Sequence, residues 1–256
     1  MKDRLRRDLT DLMLVPGLSG HEGRVRHSIA KRLGEAGIAS RSDRMGNLIA
    51  TFEGDAAAPA VMLFTHMDQL GFVVRKIEDD GLIRVERMGG VPERALASQA
   101  VLLCVEEGSD VPGVIYNKSH HATSRDEKYT VLKAAELRID TGHGSKAAVE
   151  AAGVRIGTPV VYRPNVMDLA GDRIAGTSVD DRAGCAARIE VARALAKRTG
   201  GPTVHLVFSV QEEFNLRGAV VAAQALAPDI AIQVDLMLAA DTPEMADRGE
   251  VALGGG

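Results

Sequence analysis

Apolar residues recur every four positions at Val25, Ile29 and Leu33, a spacing that puts them on one face of an α-helix. Ser19 and Glu22 carry the S-x-x-E spacing of a capping box ahead of that helix, and Gly34 or Gly37 would end it. Strand-like runs follow at 48–52 and 61–65. The second run is continuously apolar, as in a strand buried on both faces. From residue 71 the elements become short. Runs at 71–77 and 82–87 flank Glu78-Asp79-Asp80-Gly81, and Asp-Gly between strand-like runs signals a hairpin. Further strands are expected at 99–105, 111–116, 136–139 and 159–162, with a short helix near 145–152. After Pro164 the elements lengthen again into a helix over 182–197, a strand over 203–209, a helix over 217–226 and a strand over 230–238. This alternation predicts an α/β fold with a mostly parallel sheet and flanking helices. Residues 1–69 and 163–256 would form it, interrupted by a small β-rich domain over 70–162.

Composition narrows the function classes. The chain has 256 residues, 45% of them hydrophobic and 26% charged, which suits a soluble globular protein. Aromatic residues make up only 3% and tryptophan is absent, so the core is aliphatic and stacking platforms for single-stranded nucleic acid or sugars are not expected. The net charge is -4, and Arg4, Arg6 and Arg7 form the main basic cluster, which gives no reason to expect a nucleic-acid partner. Cys104 lies in an apolar run and reads as a buried thiol; Cys104 and Cys185 make no metal-binding spacing. The apolar stretch 12–15 is too short for a signal-peptide core, and no run approaches the length of a membrane span. A cytoplasmic location with no membrane partner is the expectation.

Candidate chemistry falls in four places. His66 and Asp68 sit two apart at the end of the 61–65 run and therefore point to one side of a strand. A neutral imidazole is a good ligand for zinc or cobalt, although a solvated strand end would show the same pair. Asp180 and Asp181 precede the 182–197 helix; one could be its N-cap, and Asp180 is the candidate to bridge two metal ions. Glu212 and Glu213 follow the 203–209 strand, where ligands of α/β sheets gather. Adjacent carboxylates repel, and a cation would relieve this by taking one as ligand and leaving the other as a general base. Asp235 interrupts the apolar run 230–238, and a carboxylate buried in a central strand is costly unless paired or bound to metal.

Together the motifs resemble the glutamyl-aminopeptidase family, which includes the tetrahedral deblocking aminopeptidases. The stretches concerned are Pro16-Gly17-Leu18-Ser19-Gly20-His21-Glu22, Met45-Gly46-Asn47-Leu48, His66-Met67-Asp68-Gln69-Leu70-Gly71-Phe72, Asp180-Asp181-Arg182-Ala183-Gly184-Cys185, Gln211-Glu212-Glu213 and Asp241-Thr242-Pro243. The resemblance implies a dinuclear metallo-aminopeptidase acting on peptides, with two divalent ions (zinc, cobalt or manganese). It implies that His66, Asp180 and Asp235 hold one ion and that Asp180 and Glu213 hold the other. Glu212 would be the general base, and Asp68 would support His66, with Asp181 and Arg182 behind them. The β-rich insert would serve homo-oligomerisation, up to dodecamers built from dimers. The family also places a further histidine ligand beyond the region this chain covers, so a member lacking its C-terminal segment is expected to bind the second ion poorly. The alternative is a weakly active or inactive assembly module.

Two other readings are weaker. Gly142-His143-Gly144-Ser145-Lys146-Ala147 follows a strand-like run in the manner of a dinucleotide fingerprint, but no acidic residue stands about 20 positions on. Relatives labelled as cellulases suggest glycoside hydrolysis. That chemistry needs two carboxyls on opposite sides of the bond, which adjacent Glu212 and Glu213 do not supply.

Overall fold

The computed structural model describes residues 1–249 and 251–254. The chain opens with α1 (Lys2–Met13), α2 (Gly23–Glu35), β1 (Arg41–Ser42), β2 (Leu48–Phe52) and β3 (Val61–His66). Next come β4 (Gly71–Ile77), β5 (Ile83–Met88), β6 (Ala100–Leu103), β7 (Val111–Ile115), β8 (Arg138–Asp140), α3 (Lys146–Ala151) and β9 (Pro159–Tyr162). The hairpin of β10 (Val166–Asp168) and β11 (Ile174–Gly176) leads to α4 (Val179–Leu195), β12 (Val204–Ser209), α5 (Arg217–Leu226) and β13 (Ile230–Gln233).

The main sheet has the order β1-β2-β12-β3-β13. β12 and β13 flank β3 and run parallel to it. β2 runs antiparallel to β12, and β1 antiparallel to β2. The sheet is therefore mixed, where the sequence pattern predicted a mostly parallel one. The short loop 53–60 joins β2 to β3 with no helix, and a parallel return would have needed a long crossover. On one face Val25, Ile29 and Leu33 of α2 pack with Ile189, Leu206 and Phe208, as the four-residue spacing predicts. Leu5, Leu9 and Leu12 of α1 join this cluster. Their 4-then-3 spacing was hidden in sequence by the arginines between them. The other face packs Ile49, Met62 and Val207 with Ala222 of α5.

Strands β4-β5-β8-β7-β6-β9 close into a barrel, all of whose strands come from the β-rich stretch. Its interior is filled by Phe72, Val85, Val101, Leu103, Ile139 and Val160. The β4–β5 hairpin forms as expected: the Glu78 N–H donates to the Leu82 carbonyl at 2.8 Å. Gly81 turns the chain at φ +86, where a Cβ would collide with the His143 carbonyl.

Three expectations change. The capping box does not form: Glu22 itself is the N-cap residue of α2 and makes no side-chain cap bond. Cys104 is half-buried, and only Cys185 is fully buried. Most important, β13 ends at Gln233 and all its residues are exposed. Among the described residues it pairs with β3 alone, so the run 230–238 is exposed here and Asp235 lies beyond the strand rather than buried within it. Among the described residues no helix is long and apolar enough to cross a membrane.

Candidate metal centre

The parallel register brings the candidate residues to one edge. Ser209 pairs with His66, and Gln233 with Phe64. His66, the loop after β12 and the segment after β13 thus emerge together at the carboxyl ends of the three parallel strands. This is where ligands of α/β sheets bind. The first turn of α4 meets them there.

His66 is the centre of the cluster, with a side chain only 2% exposed. Its Nε2 lies 3.0 Å from Asp180 Oδ1, 3.8 Å from Asp235 Oδ1 and 3.9 Å from Glu212 Oε2. Its Nδ1 stands 3.3 Å from Asp68 Oδ1, off the line of a hydrogen bond. Burial by itself would lower the imidazole pKa. The hydrogen bond to Asp180 and the close carboxylate of Asp68, with Asp181 behind, outweigh it and push the value up to about 11. A proton is thus held where several carboxylates converge, which is the place a cation would take. Donor atoms of His66, Asp180 and Asp235 all lie within 4.8 Å of one another. One imidazole and two carboxylates suit a borderline divalent ion, and the residues fit such a group.

Asp180 and Asp181 do different work. The backbone leaves helical geometry at both, with ψ 114 and ψ 46, and their side chains diverge. Asp180 is exposed at the cluster. Asp181 is buried, accepts from Thr65 Oγ1, and accepts from the Gly184 N–H at 2.8 Å. Burial pushes its carboxyl up to about 6 against the Thr65 bond. Gly184 leaves room for this: a Cβ there would collide with Thr65 Oγ1 and both Asp181 carboxylate oxygens. Arg182 is fully buried and donates to the Leu12 and Val15 carbonyls and to Gln69 Oε1.

Asp68 has a role that the sequence did not reveal. It is fully buried and accepts from the backbone N–H of Glu212 at 3.0 Å and of Glu213 at 3.1 Å. It therefore clamps the loop that carries both glutamates. Asn47 braces the same loop, accepting from the Val210 N–H at 3.0 Å and donating to the Gly218 carbonyl at 2.9 Å. The only sequence hint was the Met45-Gly46-Asn47-Leu48 motif. Glu213 stands outside the donor group of His66, Asp180 and Asp235. Burial, with the charges of Asp180, Asp68 and Glu212 and against that of His66, pushes its carboxyl up to about 7. Glu213 and Asp180 together line a cleft of about 470 Å³ whose walls are mainly Leu70, Tyr162, Val179, Leu236, Met237 and Leu238.

Comparison with known proteins bears on this arrangement. The model of the M42 glutamyl aminopeptidase family matches residues 46–256. This chain belongs to that family. A lysyl aminopeptidase of Pyrococcus furiosus is 34% identical over 237 residues, which cover 92% of this chain and 66% of that one. The TET aminopeptidase of a marine-sediment Thaumarchaeota archaeon superposes with a TM-score of 0.91 at 27% identity, over 99% of this chain and 72% of that one. TET1 peptidase of Pyrococcus horikoshii, which can assemble into a tetrahedron or a large octahedral shell, superposes with a TM-score of 0.83 at 29% identity, over 90% of this chain and 68% of that one. This M42 chain thus spans about two thirds of the length of these relatives.

Proposed function

We propose that this M42 chain carries the metal centre of an aminopeptidase that removes N-terminal residues from peptides. One observation carries the reading: a buried imidazole faces three carboxylates, and one of them, Asp180, lines a largely apolar cleft. His66, Asp180 and Asp235 would hold one divalent ion. Asp180, more than half exposed, and Glu213 would hold a second. Such ions, whether zinc, cobalt or manganese, would supply Lewis acidity toward the scissile carbonyl and toward water. Glu212 takes the water proton and delivers it to the leaving amine. Burial raises its pKa, and neighbouring carboxylates add to this against the charge of His66; a raised pKa makes the carboxylate a better proton acceptor. Asp68 acts by fixing the loop on which Glu212 stands.

Residues 1–69 and 163–256 would form the catalytic unit, and the barrel within 70–162 would join copies of the chain. Exposed Tyr116, Tyr129, Val131 and Leu132 on that module support the second part. Sedimentation at several times the chain mass of 27.1 kDa would bear it out, and a monomer at micromolar concentration would refute it. The catalytic reading is tested with aminoacyl anilides. Turnover is expected with added cobalt or zinc and lost on chelation; an N-terminally blocked substrate should remain intact. Turnover that survives chelation would overturn it.

A further inference from the structure

Glu22 does not cap α2, and its burial needs another explanation. It is 4% exposed, and its Oε1 accepts from the Gly20 N–H at 2.7 Å and from the Gln211 N–H at 3.0 Å. The second bond joins residues 189 positions apart. Gln211 has φ +53, a left-handed geometry uncommon for residues other than glycine, and it directly precedes Glu212. The next two amides are held by Asp68. The N–H groups of residues 211, 212 and 213 therefore all end on two buried carboxylates supplied by distant elements. Burial raises the Glu22 carboxyl, and the neighbouring charge of Asp68 adds to this. A carboxylate kept in such a position costs stability unless its bonds repay it, and bonds from amides to an ionised acceptor are the stronger kind.

We propose that Glu22 is a positioning residue: its carboxylate holds the Gln211 amide and so fixes where Glu212 stands at the metal centre. The inference rests on the reading of Glu212 as proton carrier, but the holding itself can be measured separately. Alanine at position 22 would remove the acceptor of the Gly20 and Gln211 amides. Glutamine there keeps Oε1 in place. Aspartate keeps the charge and withdraws the oxygen by one methylene.

The test is amide hydrogen exchange on the whole chain, followed by NMR, for wild type and for Glu22→Ala, Glu22→Asp and Glu22→Gln. Glu22→Ala and Glu22→Asp are expected to speed exchange at Gln211, Glu212 and Glu213 by about tenfold or more, the size of one net hydrogen bond. The amides of Val204–Ser209 should keep their protection. Glu22→Gln should stay within about threefold of wild type. With cobalt and an aminoacyl anilide, kcat should fall about tenfold in Glu22→Ala with KM and metal content unchanged, and recover in Glu22→Gln. Unchanged exchange at 211–213 in both Ala and Asp variants would overturn the proposal, as would an equal rise across β12. A loss of kcat that tracks a loss of metal would also overturn it. A wild-type chain without turnover counts against the hydrolase reading, and the exchange pattern then decides the role of Glu22 by itself.

Discussion

Glu212→Gln is expected to lower kcat by about 10²–10⁴-fold, the usual worth of a positioned general base, with metal content and fold unchanged. The substitution is narrow for structural reasons. It keeps the backbone N–H at position 212 that donates to Asp68, keeps the side-chain volume, and removes only the capacity to take a proton. The carboxylate it replaces stands 3.9 Å from His66 Nε2, beyond hydrogen-bond distance, so no strong bond to the imidazole ties the glutamate up. Equal turnover by wild type and Glu212→Gln would remove Glu212 from the chemistry and leave Glu213, with its carboxyl pushed up to about 7, as the residue to examine next.

The second large effect concerns His66. In the metal-free chain its imidazole is protonated below about 11, whereas a metal ligand must be neutral. Ion and proton therefore compete for Nε2. Lowering the pH favours the proton, so metal affinity should fall by about tenfold per pH unit through the neutral range. Titration calorimetry in buffers of different ionisation enthalpy should then show at least one proton released per ion bound. His66→Ala should weaken the ion by more than about a hundredfold, because loss of even an outer-shell partner costs about 10–100-fold. The proton release should fall by about one. Affinity independent of pH across the neutral range, or full metal binding by His66→Ala, would contradict the assignment of His66 as a ligand.

The site was partly legible because three of its pieces are local. His66 ends a strand with Asp68 two residues on, Asp180 and Asp181 lead a helix, and Glu212 and Glu213 follow a strand. Each pattern is short enough for residue spacing to fix where its side chains point. Asp235 was found for a reason that did not hold. The sequence argument assumed burial in a central strand, yet the residue lies exposed past the end of an edge strand. Its place in the cluster rests on its 3.8 Å approach to His66. The brace formed by Glu22, Asp68 and Asn47 was not legible, because each bond joins a side chain to a backbone amide at least 144 positions away. A backbone N–H carries no residue identity, so no pattern in the sequence announces its partner.

By itself the sequence determined the buried face of α2, the hairpin at Gly81 and the kinship of its motifs. All of these depend on contacts within a turn or two of chain, or on residue types that only certain chemistry requires. Only the tertiary structure decided that the main sheet is mixed, that the β-rich strands close into a barrel, and that Glu213 stands apart from the donor group of His66, Asp180 and Asp235. Strand order and the meeting of loops depend on which long-range pairings bury the most apolar surface. That is a property of the packed whole, and local periodicity does not encode it.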